Sequence, residues 1–142
     1  MKSRETVTCR NFPCVDITSK NFLIPGVEIS PEKIRMVMIS ESAPLDRKDY
    51  FYAGSNALFA HTTLLAFSDA GVKAGSIQEL VNMGIYFTTA VKCSKTQYSI
   101  QTTTIQECSR LLEKEISQFP SIKVSMLMGD VAIKSREHDS QA

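Results

Sequence analysis

Apolar residues in this chain fall into short, abruptly bounded runs. The most legible is Ile85 to Val91, a run of β-branched and aromatic residues with no Pro and no charge, as strands prefer. So apolar a run predicts a strand covered on both faces, as in a parallel sheet. Two further strands are predicted at 35–40 (RMVMIS) and 123–128. Between them the pattern changes to a helical period. Residues 56–70 predict a helix on which Leu58, Thr62, Leu65 and Ala66 share a face, with Gly71 as its stop. Ser76-Ile-Gln-Glu79 and Thr104-Ile-Gln-Glu107 both read as capping boxes. The first opens a short helix with Ile77, Leu80 and Val81 inward. The second opens a helix over 105–119 with Ile105, Cys108, Leu112, Ile116 and Phe119 on one stripe, placing Cys108 in its first turn. Asp130 caps a last helix.

Strands alternating with helices predict an α/β fold: a central parallel sheet with right-handed crossovers and helices on both faces. Residues 1–33 have no clear period and predict an irregular N-terminal arm turning at Pro25-Gly26. Residues 135–142, SREHDSQA, predict a frayed polar tail. At 142 residues, one domain with a core of its own is expected.

Composition narrows the class little. A net charge of +1 neither demands nor excludes a nucleic-acid partner, because a local basic surface fits inside a balanced total. The N-terminus lacks the apolar stretch of a secretory signal, and no apolar run approaches the roughly 20 residues of a membrane span. A cytoplasmic protein without a membrane partner is therefore expected, a compartment where structural disulfides are uncommon. That draws attention to the four cysteines, Cys9, Cys14, Cys93 and Cys108.

Three groups carry candidate chemistry. Glu41 follows the first strand, at the edge where open α/β sheets bind ligands; there a carboxylate orients water or acts as a base, or else caps a turn. Tyr50-Phe51-Tyr52 offers aromatics that stack on a planar base or tuck into the core. Four thiols suit a tetrahedral metal site or an iron–sulfur cluster, while Cys108 on its apolar stripe also reads as a plain core residue. Lys92 and Cys93 sit at the end of the central strand. His61 and His138 read as structural or solvated. No Ser/His/Asp arrangement and no standard Gly-rich phosphate loop is present.

TTAVKC (88–93), with Cys108 downstream in IQEC (105–108), resembles the "TN-x-VKC" and "EI-x-x-C" segments of the iron–sulfur (family 4-like) branch of the uracil-DNA glycosylase superfamily. ISESAP (39–44) is similar to its "GEAPG" motif, YAG (52–54) to its "FVG", and VSMLMG (124–129) with Val131-Ala132 to its "VIVLLG-x-VAA". All occur in the family's order. The resemblance implies a three-layer α/β/α fold. It implies hydrolysis of the N-glycosidic bond of uracil, or another damaged base, flipped out of DNA. Residue by residue, Glu41 falls on the acidic catalytic position, with Ser40 and Ser42 flanking it. Tyr52 falls on the aromatic that stacks on uracil, and Thr89 on the Asn that reads its edge. Cys9, Cys14, Cys93 and Cys108 fall on the ligands of a [4Fe–4S] cluster, for which zinc or no metal are the alternatives. A monomer acting on DNA is implied. The family's fourth strand and its His-containing loop have no counterpart here, and Thr89 replaces the amide. The chain is accordingly expected to be incomplete at its C-terminus and weak or inactive; a non-catalytic nucleic-acid-binding or metal-stabilised domain of the same fold is the alternative.

Overall fold

A computed structural model, describing residues 7–9, 13–18, 22–54 and 56–140, places the three apolar runs in one parallel sheet. In chain order the elements are β1 (Ile17–Thr18), β2 (Met36–Ser42), α1 (Leu58–Asp69), α2 (Ile77–Asn82), β3 (Ile85–Val91), β4 (Ser94–Lys95), α3 (Thr102–Ile116), β5 (Val124–Leu127) and α4 (Asp130–Ser140). Short 3₁₀ turns lie at Pro31–Lys33 and Arg47–Asp49. The sheet order is β3-β2-β5. Both pairings are parallel, with Met36 opposite Ile85 on one side and Val124 on the other. A small antiparallel ribbon of β1 with β4 ties the arm to the segment after β3; strands of two residues leave no readable period.

The alternation along β3 sends side chains to two helical layers. Tyr86 and Thr88 face α3, where both meet Glu115. Phe87 faces the other way, against Phe51 (ring centroids 5.6 Å) and Phe67 of α1 (6.2 Å). The main core joins Val37, Ile39, Tyr86, Phe87, Leu80 and Leu112. A smaller cluster of Val91, Ile105 and Cys108 lies under the first half of α3. Among the described residues no helix is long and apolar enough to cross a membrane.

Local rules explain the start of α2 and the turn from it into β3. Ser76 caps α2 by accepting from the Glu79 amide, 3.2 Å; the Glu79 carboxylate reaches the Gly75 amide, one residue before the position of a standard box. Gly84 then turns the chain into β3 at φ +99°, and a Cβ there would stand 2.8 Å from the Lys33 carbonyl. Only glycine meets both demands.

Several expectations are corrected. Thr104 is not the cap of α3: the helix begins at Thr102 after Gln101, so Cys108 lies in its second turn. The Leu58–Leu65 face of α1 looks outward, because Ala57, Ala60 and Phe67 take the inward positions. Residues 135–140 are not frayed but helical, and Ser135 is buried, because α4 packs on α3 and β2. Residues 10–12 of the predicted Cys9–Cys14 loop, residues 1–6 and 19–21 of the predicted arm, and residues 141–142 of the predicted tail lie outside the described residues, as does the His138 side chain. His61 is exposed.

Candidate functional site

β2 ends at the C-terminal edge of the sheet in Ser40-Glu41-Ser42, and the backbone carries on into Ala43-Pro44. The Ala43 amide bonds to the Val91 carbonyl, 3.2 Å, and the Ser94 hydroxyl donates to the Pro44 carbonyl. These two bonds lock the turn against the end of β3. Above it opens a cleft of about 640 Å³ walled by Ser40, Glu41, Ser42, Phe51 and Phe59, by Thr62 and Thr63 of α1, by Lys95 and by Met128. It is a pocket of ordinary ligand size with both apolar and polar side chains in its walls. Lys95 is its cation: the ammonium holds the Glu41 carboxylate, donates to the Tyr98 carbonyl at 2.9 Å and stands 5.6 Å from the Tyr98 ring. Both members of the ion pair keep part of their surface exposed, so the pair is open to exchange with an incoming ligand.

Of the predicted site residues, Ser40, Glu41 and Ser42 share this cleft. Tyr52 does not line it. Its hydroxyl donates to the Phe87 carbonyl (2.7 Å) and accepts from the Phe87 amide (2.8 Å), and burial holds the phenol well above its ordinary pKa of 10.0. Tyr52 instead lines a second cavity of about 510 Å³, under the arm residues Leu23, Ile24 and Val27. Phe51 is the member of the aromatic triplet that reaches the Glu41 cleft. The sequence marks the triplet but not which ring turns inward. Thr89 is fully buried and donates to the Val91 carbonyl, 2.8 Å; it does not line the cleft either.

Cys9, Cys14 and Cys108 lie near enough to Cys93 to influence its ionisation. Cys93 and Cys108 are buried, Cys9 and Cys14 half-buried, and none is in a disulfide. Burial pushes Cys93 up to about 12, and Cys108, Cys9 and Cys14 add like-charge repulsion to that rise. Burial also raises Cys14 and Cys108 above the ordinary thiol value; hydrogen bonds partly offset this, from the Thr104 side chain to Cys14 and from the Lys92 backbone to Cys108. In kind and number these donors fit a metal or cluster, whose positive charge would offset burial and mutual repulsion. In spacing the set is open: the described residues contain no group of three or more His, Cys, Asp or Glu side chains placed to hold an ion.

Two supporting groups carry no sequence signal of pairing. Lys92 and Glu115 form a fully buried ion pair, 2.5 Å. Tyr86 donates to Glu115 at 2.5 Å, Thr88 donates to both carboxylate oxygens at 2.9 Å, and Lys92 also donates to Thr88 at 2.8 Å and to the Thr89 carbonyl. Every polar atom of the pair has a partner, the condition on which buried charges are tolerated. The pair fixes the residue just before Cys93. Asp16, from the arm, accepts from the Gln101 amide (2.7 Å) and from the Thr104 hydroxyl. It thus supplies the capping carboxylate at the positive end of α3, and it sets Cys14 beside the helix that carries Cys108.

Comparisons with protein-family models, with curated proteins and with solved structures return no match.

Proposed function

We propose that this chain is a uracil-DNA glycosylase-like domain, a three-layer α/β/α fold that takes a flipped-out uracil or other damaged base into the Glu41 cleft. The observation that carries this reading is the position of Ser40-Glu41-Ser42, at the C-terminal end of the central strand and open to a cleft that Phe51 also walls. A base entering there meets an aromatic ring and hydroxyls. Its sugar would face the carboxylate. Water adds to the anomeric carbon, Glu41 takes the proton, and the base leaves with the electron pair of the broken C–N bond. The carboxylate also stabilises the positive charge that develops on the sugar. Lys95 is the group in the cleft suited to a DNA phosphate, and exchange of its partner from Glu41 to phosphate would free the carboxylate at the moment DNA binds. Cys9, Cys14, Cys93 and Cys108 would hold a [4Fe–4S] cluster, or zinc, which supplies a structural tie between arm and sheet.

A second reading, the same fold binding nucleic acid without chemistry, is favoured by two particulars. Glu41 is already paired with Lys95, and the Thr89 hydroxyl is spent on the backbone. A single-stranded oligonucleotide with one uracil separates the two readings. Slow strand cleavage after alkali, reduced about 10²–10⁴-fold by Glu41→Gln, as for loss of a general base, supports the hydrolase. Uracil-dependent binding without cleavage supports the second reading. Equal binding to the undamaged oligonucleotide without cleavage still supports the second reading, and binding to neither oligonucleotide refutes both.

A further inference from the structure

The polar segment after β3 is braced by partners distant along the chain. From Ser94 to Thr104 its only charged residue is Lys95. One residue of the arm ties both feet of the loop. The Asp16 carbonyl accepts from the Thr96 amide at 3.0 Å, and the Asp16 carboxylate accepts from the Gln101 amide at 2.7 Å. Ile100 packs on the small cluster of Val91, Ile105 and Cys108. Lys95, just before the first foot, donates to the Tyr98 carbonyl at 2.9 Å. Surface loops with their ends held close together are frequently functional. This one follows β3, at the edge of the sheet opposite β5, and its supports come from the arm and from α3.

At the tip of the loop stands Tyr98, 96 % exposed. At that exposure the ring adds almost no burial to the fold. The Lys95 ammonium lies over it, 5.6 Å from its centroid, which leaves the opposite face bare. Thr96 and Gln97, the two residues before Tyr98, wall the Glu41 cleft, so the ring stands one residue beyond the rim. The exposed side chains around it, Thr96, Gln97, Ser99 and Gln101, are uncharged and set no carboxylate against a phosphate chain. Single-stranded nucleic acid is held by this combination: bases stack on exposed aromatic rings while cations meet the phosphates. Tyr98 and Lys95 supply one of each, side by side.

We infer that Tyr98 is a stacking platform for a single strand. With a base in the Glu41 cleft, the unpaired base next to it lies on the bare face of the ring, and the phosphate between the two meets Lys95. This rests on the reading of that cleft as a base pocket, and it names the substrate as single-stranded. In a duplex the neighbouring base is already stacked within the helix, and the ring has nothing to receive.

The test is fluorescence anisotropy with the whole chain and oligonucleotides carrying one uracil, single-stranded and paired. The single strand is expected to bind more tightly. Tyr98→Ala should weaken its binding about tenfold or more, the range of one base–aromatic stack, and bring it close to that of the duplex. Tyr98→Phe should keep the tight binding; Tyr98→Leu, apolar but without a ring, should not. With so exposed a residue, all three variants should keep the circular dichroism spectrum of the parent. A fluorescent base analogue, 2-aminopurine, is then placed beside the uracil, on its 5′ side in one strand and its 3′ side in another. It should be quenched on binding in one of the two, and Tyr98→Ala should relieve that quenching. Parent binding that Tyr98→Ala leaves unchanged, or quenching in neither position, overturns the platform and leaves the cleft reading standing. A duplex bound as tightly as the single strand, with the same loss in Tyr98→Ala, makes the ring a duplex wedge and overturns the single-strand assignment. No binding of either form by the parent removes the reading of the cleft itself, and the platform with it.

Discussion

Replacing Glu115 by Gln is the sharpest single perturbation of this fold. Lys92 and Glu115 are both 0 % exposed. Glutamine keeps the shape and one acceptor but removes the charge and one of the oxygens that receive Tyr86, Thr88 and Lys92. The ammonium is left in the interior with neutral acceptors only and no anionic partner. Leaving one partner of a buried pair unmatched costs about 3–5 kcal/mol. A domain of this size has about 5–15 kcal/mol in all, so the loss is a large share of the total. Lys92→Met strands the carboxylate instead and should cost a similar amount. The pair replaced together, Lys92→Met with Glu115→Gln, removes both buried charges and should cost far less than the sum. The assay is urea unfolding of the four proteins as a double-mutant cycle, with unchanged slopes taken as the sign that the same surface is exposed. Single variants within about 1 kcal/mol of the parent, or a double variant equal to the sum of the singles, would refute the claim that the charges depend on each other.

Three further outcomes are expected. Tyr52→Phe leaves the amide and carbonyl of Phe87 without their partner, should cost about 1–3 kcal/mol for each buried group left unsatisfied, and should speed hydrogen exchange at the Phe87 amide; unchanged exchange there refutes the role. Asp16→Ala removes the carboxylate at the start of α3 and should cost about 1–2 kcal/mol while making the arm more sensitive to protease; equal digestion rates of the two proteins would count against it. The raised thiols bind their protons more tightly in the folded chain than in the unfolded one. Stability is therefore fully present below the ordinary value of 9.0 and is lost as pH rises from there to about 12 for Cys93, by at most about 1.4 kcal/mol per pH unit per thiol. The tyrosines, whose ordinary value is 10.0, join only higher up, so the first unit above 9.0 belongs to the thiols; Cys93→Ser should make that slope shallower, leaving the share of Cys14 and Cys108, and an equal slope in that variant would refute the assignment.

The sheet was legible in the sequence because its strands are short, uninterrupted apolar runs bounded by polar turns. All three lie within two residues of their predicted limits, and the Ser76 box is a cap in fact. What stayed hidden depends on partners distant along the chain. Thr104-Ile-Gln-Glu107 has the letters of a cap, but its hydroxyl bonds to Asp16, 88 residues away, and the helix starts earlier. The α1 stripe was visible as a period, yet a period does not say which face is inward; two alanines and Phe67 decided that. Glu41, Ser40 and Ser42 were placed correctly at the strand end, since register follows directly from the run before them. Which of three consecutive aromatics reaches the cleft is a matter of loop geometry, and spacing alone carries no information on it.

The Tyr52 phenol, holding both the amide and the carbonyl of Phe87, has a consequence for polymerisation. Growth of a cross-strand fibre needs a vacant edge on each side of every unit, so that each addition recreates the template it consumed. Here one side is stoppered by a side chain and overlain by the arm. Any strand that joins at the far side ends the series instead of extending it, and the stopper converts an aggregation-prone sheet into a self-terminating one. Loss of that single hydroxyl would bare the Phe87 amide and carbonyl and leave the arm as the cover of that edge.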